Sequence, residues 1–334
     1  MSVKKIKDEK ILILGGSGFI GSNLVNYLIE NNVKHITVVT EKIDERVSYN
    51  LGDLKDKIRV IEADIRYEKE IEKLVKDHTL IFNFAAQSGA VNSTEKPFLN
   101  LDINGKGVLN LLNACRNNNT SAKVIFLSSR LVYGIVDRIP VKESQPLNPG
   151  NIYSIHKILG EYYMQLYAKL YGIKTIILRL TNPYGPRQPF WQSEYGIINY
   201  FIYLAMKDEE LKIFGDGKQL RDYIYIDDLT KVLITIACAN YKPGAIFNLG
   251  SGKGVKLIDM ARAVCKIIGR GRVKKVPWPK LYKKVETGDF VSDISKIKNS
   301  FSWIPEVDLE PGIKKTVDFI KNHPLFIERL KGEL

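Results

Sequence analysis

Tyr153 and Lys157 stand four residues apart in Asn151-Ile152-Tyr153-Ser154-Ile155-His156-Lys157. No Pro or Gly separates them, and Ile158 to Tyr167 carries the pattern on, so the spacing predicts one long helix. On a helix, side chains at i and i+4 share a face, which points the phenol and the ammonium into one site. A phenol titrates at roughly pH 10, and a close cation favours its ionised form. The pair could therefore move a proton to and from a sugar or alcohol hydroxyl. As a bare pair it suits a solvent-facing helix equally well, so the elements around it must decide.

The first of those elements is Ile11-Leu12-Ile13-Leu14, a continuous apolar run of the kind a buried parallel strand needs. Gly15-Gly16-Ser17-Gly18-Phe19-Ile20-Gly21 follows, and Ser22 to Glu30 reads as a helix. A strand, a glycine-rich turn and a helix N-terminus together offer backbone N–H groups and a positive helix end to a pyrophosphate. The glycine spacing is G-x-x-G-x-x-G, not the G-x-G-x-x-G of two-domain dehydrogenases. A second strand, His35 to Thr40, ends at Thr40-Glu41, where an acidic residue would accept from ribose hydroxyls. Glu41 favours NAD; Lys42 and Arg46 would instead meet a 2′-phosphate. A third strand, Arg59 to Ile65, brings Asp64 to the adenine position, although Asp64 also suits a turn or a helix cap. A fourth, Leu80 to Phe84, leads into Ala85-Ala86-Gln87-Ser88, whose small residues allow close backbone approach. A long helix from Pro97 to Asn117 contains Asn104. Strand Lys123 to Leu127 ends in Ser128-Ser129-Arg130-Leu131-Val132-Tyr133-Gly134, polar residues at the carboxyl edge where open α/β sheets bind ligands. Strand Thr175 to Leu180 then reaches Thr181-Asn182-Pro183-Tyr184-Gly185-Pro186-Arg187. This alternation predicts an α/β protein with a Rossmann-type, doubly wound parallel sheet of six or seven strands. Residues 1–182 form the NAD-binding part. Residues 183–334 form mainly a smaller substrate-binding lobe, with some segments returning to the sheet.

Composition narrows the function classes. The chain has 334 residues, 45% of them hydrophobic and 26% charged, as in ordinary globular proteins. The formal net charge of +13 would suit nucleic acid, an anionic membrane surface or an anionic small substrate. The lysines are dispersed, apart from Lys274-Lys275 and Lys283-Lys284, and neither an RNA-binding signature nor metal-ligand spacing is present. Neither a nucleic-acid nor a membrane partner is expected, nor a metal. Cys115, Cys238 and Cys265 lie in apolar helical contexts without paired spacing and read as buried thiols of a cytoplasmic protein. The polar start carries no signal-peptide pattern, and no apolar run is long enough to span a membrane.

Taken in order, these residues resemble the extended short-chain dehydrogenase/reductase family, in its NAD-dependent epimerase/dehydratase branch. The resemblance is carried by Gly15 to Gly21, Asp64-Ile65, Phe84-Ala85-Ala86, Asn104, Ser128-Ser129 with Val132-Tyr133-Gly134, and Tyr153 with Lys157. It continues through Arg179, Asn182 to Pro186, and Leu220-Arg221-Asp222-Tyr223-Ile224-Tyr225-Ile226-Asp227-Asp228. It implies that Tyr153 is the acid/base, that Ser129 is its partner, and that Lys157 lowers the Tyr153 pKa while holding the nicotinamide ribose. Gly15, Ser17, Gly18, Phe19, Ile20 and Gly21 would meet the NAD pyrophosphate. Thr40, Glu41, Asp64 and Ile65 would meet the adenosine, and Phe84, Ala85, Ala86 and Asn104 the cofactor side of the cleft. Ser88, Ser129, Arg130, Asn182, Arg187, Asn199, Phe214 and Arg221 would meet a nucleotide sugar. Arg221 equally suits an ion pair with Asp222 or Asp227, and Arg130 and Arg187 equally suit a diphosphate contact or a solvated position.

The same resemblance narrows the reaction. Sugar 4,6-dehydratases carry carboxylates just after the catalytic Ser or Thr; this chain has Arg130 and Leu131 there, which disfavours dehydration and decarboxylation. The expectation is a UDP-hexose or UDP-hexuronate 4-epimerase working through a 4-keto sugar, with Arg130 and Arg187 placed for a C6 carboxylate. The alternatives are a 4-ketoreductase, a CDP-sugar 2-epimerase or a non-catalytic NAD(H)-binding regulator. Glu286 stands where many relatives have a diphosphate-binding Arg, which shifts that task to Arg221, Lys283 or Lys284. A homodimer through the helices containing Asn104 to Arg116 and Tyr153 to Tyr167 is implied, with Tyr162, Tyr163 and Tyr167 suited to the interface.

Overall fold

Ile11, Leu12, Ile13 and Leu14 are at most 1% exposed, as a strand covered by helices on both faces must be. The computed structural model describes residues 3–52, 54–190 and 196–332. Six strands are laid down in turn: β1 (Lys10–Leu14), β2 (His35–Thr40), β3 (Arg59–Glu62), β4 (Leu80–Asn83), β5 (Lys123–Ser129) and β6 (Lys174–Leu180). The chain then forms β7 (Asn182–Tyr184), β8 (Glu210–Phe214), β9 (Leu220–Tyr225), β10 (Ala245–Leu249), β11 (Gly254–Lys256) and β12 (Arg272–Val276).

Seven of these make one sheet in the order β10-β6-β5-β4-β1-β2-β3, with every pair parallel. This is the expected doubly wound α/β sheet. Six of its strands lie before residue 181, and the seventh, β10, arrives from beyond residue 240 to pair with β6. Alternate side chains feed two cores. Ile13, Val38, Phe82 and Ile125 face one layer of helices, and Leu14, Val39, Ile81 and Phe126 face the other. Strand order reverses between β1 and β4, and the crevice at the carboxyl ends of such strands is where α/β sheets take ligands.

The helix Ile152–Tyr171 opens with a capping box, Asn151 and Ser154 bonding each other's backbone N–H, and stops at Gly172 in the left-handed region. The helical stretch expected from Pro97 is interrupted by a π-helical segment, Asp102–Lys106, which carries Asn104. Beyond β6, β11, β9 and β7 form a small sheet, and β12 pairs with β8. Asp222 on β9 is fully buried and holds this region together. Its carboxylate accepts from Ser251 N and Oγ, each at 2.7 Å, from Gly252 N at 3.2 Å, and from Ser292 N and Oγ. Cys115 is buried, whereas Cys238 and Cys265 are half-buried; all three are free thiols.

Candidate active site

The turn after β1 needs its glycines. Gly15 has φ +75°, and a Cβ there would stand 2.8 Å from Ala85 N; one on Gly21 would stand 2.5 Å from Gly16 Cα. The helix Phe19–Glu30 starts after Gly18 with no side-chain cap, so its first N–H groups and positive end remain for a ligand. Ser17 Oγ and Thr40 Oγ1 bond each other at 2.8 Å, and Asn50 donates to Ser17 O at 2.9 Å. These bonds fix the turn as a cradle of the shape and polarity that a dinucleotide pyrophosphate requires.

From the cradle a cleft of about 450 Å³ runs to Ser129, Tyr153 and Lys157, within the roughly 300–1,000 Å³ typical of small-molecule sites. Gly15, Ser17 to Gly21, Phe84, Ala86, Ser88 and Arg187 also line it. Thr181 Oγ1, in the wall of the cleft, is buried without a hydrogen-bond partner, and a buried polar atom of that kind calls for a ligand or water. Asn104 is buried, donates to Gln87 O at 2.9 Å, and leaves its Oδ1 unpartnered. Ala85 packs beneath Gly15. Ile65 lies in the core under Gly107, a structural rather than a lining position.

At the reacting end, burial pushes the Tyr153 phenol up to about 12, and a hydrogen bond with Ser129 works in the opposite direction. Burial likewise pushes the Lys157 ammonium down to about 7, against the pull of the Glu161 charge. Lys157 Nζ donates to Leu127 O at 2.8 Å and lies 5.6 Å from the centre of the Tyr153 ring. The expected depression of the Tyr153 pKa by Lys157 is therefore absent from the protein alone: burial dominates both groups.

The adenosine end forms a separate hollow lined by Glu41, Lys42, Glu62, Asp64 and Arg66. Arg66 pairs with Glu41 at 2.9 Å and with Asp64. Burial works against the Asp64 carboxylate, but the Arg66 guanidinium and N–H hold it below the usual range. Glu41, Glu62 and Asp64 give this hollow more carboxylates than the cations Lys42 and Arg66 offset, a charge balance that disfavours a 2′-phosphate. The Arg46 side chain lies outside the described residues.

The substrate candidates separate. Arg187 is buried, lines the cleft and donates to Asn50 O at 2.5 Å. Arg130 is buried away from the cleft lining, bonded to Thr287 Oγ1 at 3.0 Å with its guanidinium 5.3 Å from the Phe290 ring centre. Burial and the Arg221 charge pull it down to about 9, opposed by Glu286, so Arg130 and Arg221 share one neighbourhood. Arg221 pairs with Glu286, not with either neighbouring aspartate. Asn182 donates to Asp222 O at 2.8 Å. Asn199 spends its amide on Gly185, donating to its carbonyl at 2.8 Å and accepting from its N–H at 3.4 Å. Phe214 packs on Trp278 and Tyr282, with ring centres 5.6 and 5.4 Å away, an aromatic group of which the sequence pattern marks only Phe214. Tyr49, Asn50, Gln188 and Phe326 also line the cleft. They reach it from elements far apart in the chain, and no local spacing signals them.

Comparison with known proteins agrees with this arrangement. The model of the NAD dependent epimerase/dehydratase family matches residues 11–250. A relative from Methanocaldococcus jannaschii, provisionally named UDP-glucose 4-epimerase, is 37% identical over 320 residues, covering 94% of this chain and 99% of its own. A Thermotoga maritima UDP-glucose 4-epimerase solved with UDP-glucose superposes with a TM-score of 0.82 at 30% identity, covering 93% of this chain and 98% of its own. A Bacillus cereus UDP-glucuronic acid 4-epimerase solved with UDP-glucuronic acid and NAD gives 0.82 at 27% identity, with coverages of 93% and 98%.

Proposed function

Because the chain belongs to the NAD-dependent epimerase/dehydratase family, we propose that it is a nucleotide-sugar epimerase. It inverts C4 of a UDP-hexose or UDP-hexuronate through a 4-keto sugar. The observation that carries the reading is the placement of Ser129, Tyr153 and Lys157 at the far end of the cleft that begins on the glycine cradle. NAD, which the glycine cradle and Lys157 would hold, would supply the two-electron redox chemistry at C4.

The protein supplies the rest. Tyr153 takes the O4 proton as the sugar is oxidised and gives it back as the sugar is reduced. Ser129 bonds O4 and relays that proton. Lys157 binds the nicotinamide ribose and brings a cation to the phenol, which burial alone would keep protonated. Positioned acid–base groups contribute roughly 10²–10⁴-fold, and orientation in the cleft contributes much of the remainder. No carboxylate follows Ser129: Arg130 is turned to Thr287, and Leu131 offers only its N–H, to Ser129 Oγ at 3.2 Å. That supports epimerisation over dehydration.

On this reading residues 1–182 hold mainly the cofactor and 183–334 mainly the nucleotide sugar. Arg221 and Asn182 would lie toward the diphosphate, Phe214 with Trp278 and Tyr282 toward the base, and Arg187 toward the sugar or the cofactor lip. A homodimer is part of the proposal. Ile155, Tyr162, Leu166 and Leu170 form an exposed stripe on the helix Ile152–Tyr171, and Phe98 and Leu101 are exposed on the neighbouring helix. Tyr167, expected in that interface, is buried against Asn113 instead. Among the described residues no helix is long and apolar enough to cross a membrane, and the free thiols suit a reducing cytoplasm.

The test is to incubate the purified protein with UDP-glucose, UDP-glucuronate or UDP-N-acetylglucosamine, with no cofactor added, and to follow the sugars by NMR. The C4 epimer in any tube supports the reading and names the sugar. Consumption of NADPH with a 4-keto sugar, and no epimer, would replace it with a reductase.

A further inference from the structure

Three residues on one face of the helix Ile152–Tyr171 face three consecutive residues at the end of β5, two of them through direct hydrogen bonds. Tyr153 meets Ser129. Lys157 Nζ donates to Leu127 O at 2.8 Å. Ser128 Oγ donates to Glu161 Oε1 at 2.5 Å. Residues 153, 157 and 161 are successive i+4 neighbours, so the three contacts climb one face of the helix, and those of Lys157 and Glu161 are hydrogen bonds to the strand. The first two contain the groups assigned to the chemistry. The third contains neither the reacting phenol nor the lysine, yet it is the one tied to an ion pair.

That ion pair is buried, with Glu161 2% and Arg179 3% exposed. Arg179 Nε approaches Glu161 Oε1 at 3.0 Å and Nη2 approaches Oε2 at 2.7 Å, a two-point grip. Arg179 sits on β6 directly opposite Ser128 in register. Its Nη1 donates to Tyr133 OH at 2.9 Å, and that hydroxyl donates to Asn248 Oδ1 on β10 at 2.7 Å. The network thus spans the helix, the ends of β5 and β6, the turn after Ser129, and β10. An apolar pair of similar volume would often fill such a space at no loss of stability, so stability alone is a weak reason for two buried charges here. Their geometric yield is direction: the two-point grip of Arg179 fixes the plane of the carboxylate and so the position at which Oε1 meets Ser128 Oγ, and Ser128 is covalently next to Ser129.

We infer that Glu161 is a positioning residue. Held by Arg179, it anchors Ser128 and thereby sets Ser129 and Lys157 against Tyr153 for the proton transfer. The inference rests on the roles proposed above for Ser129, Tyr153 and Lys157. Glu161 touches no substrate atom in this account; it acts through Ser128 and through its own helix.

The test uses the full chain and three variants: Ser128→Ala, which leaves the ion pair intact; Glu161→Gln, which keeps the shape and removes the charge; and Glu161→Met combined with Arg179→Met. Two quantities are read, amide hydrogen exchange at residues 127–131 and the kcat and KM for whichever UDP-sugar the wild type epimerises. Faster exchange at 127–131 is expected in all three. So is a kcat lowered about 10-fold in Ser128→Ala and about 100-fold in the other two, the scale of a misplacement of about 1 Å, with KM within about twofold. Should Glu161→Gln be too unstable to purify, Ser128→Ala and the double variant still decide. A double variant with wild-type exchange and wild-type kcat would overturn the inference, because the pair would then be replaceable filling. A fall in kcat matched by an equal rise in KM would overturn it as well. If the wild type epimerises no UDP-sugar, the functional reading fails, and the exchange measurement still judges the positioning.

Discussion

Glu286 Oε1 lies 2.5 Å from Arg221 Nη2, so the guanidinium proposed to hold the diphosphate is already paired with a carboxylate of the same chain. A phosphate oxygen must compete with that carboxylate. Glu286→Gln is therefore expected to tighten UDP binding, by several-fold to about tenfold, or up to ~1.4 kcal/mol. Titration calorimetry with UDP checks it; unchanged or weaker binding would mean that Glu286 assists the ligand.

Tyr153→Phe removes the proposed proton carrier and leaves the ring in place. Turnover is expected to fall by at least 10²–10⁴-fold, while the NAD carried through purification stays the same. Rates by NMR and NAD released on denaturation measure the two independently. Equal activity would remove Tyr153 from its role.

Lys157 predicts an opposition between stability and activity. Burial pushes its pKa from 10.5 down to about 7, so between about pH 7 and 10.5 the unfolded chain binds more protons at this site than the folded one. Stability at this site therefore rises with pH across that window, and the cost of the buried charge is largest below about 7. Lys157→Met is expected to raise the Tm, most at acidic pH and progressively less toward pH 10, and to abolish turnover. Thermal unfolding across pH 6–10 tests the sign.

Gly15→Ala forces a residue at φ +75° whose Cβ would meet the Ala85 backbone at 2.8 Å. The backbone conformation alone costs about 1–2 kcal/mol, and the contact closes the cradle. The variant is expected to purify without NAD, seen as a lowered ratio of absorbance at 260 to 280 nm.

Leu166→Glu places a charge in the exposed stripe of the helix Ile152–Tyr171. A chain that is dimeric by light scattering is expected to become monomeric. If the wild type is already a monomer, the interface assignment falls.

Much of this was legible because its signals are local. The i, i+4 spacing of Tyr153 and Lys157, the glycine turn behind an apolar strand and the polar end of β5 each depend on a few adjacent residues. What escaped depends on residues meeting across the fold. Glu161 reads as one more polar position on a helix until Arg179, 18 residues on, folds against it. Trp278 and Tyr282 gain meaning only beside Phe214. Asn199 has the right chemistry for a ligand, but the backbone of Gly185, in the turn after β7, claims it first. Tyr167 falls on the wrong phase of its helix, where a spacing argument without a known buried face cannot place it. Arg130 follows Ser129 directly in sequence, yet a long side chain ends far from its own backbone, here against Thr287 and Phe290.

The pairing of β10 with β6 has a consequence for how the protein is made. While residues up to about 240 are emerging from the ribosome, β6 is an open edge with a row of unpaired backbone groups, the kind of surface that recruits stray strands. The sheet that cradles the cofactor is finished only when Ala245–Leu249 arrives. The nascent chain must keep that edge from its neighbours through some sixty further residues, and a ribosome stalled in that interval releases an aggregation hazard, not a working half.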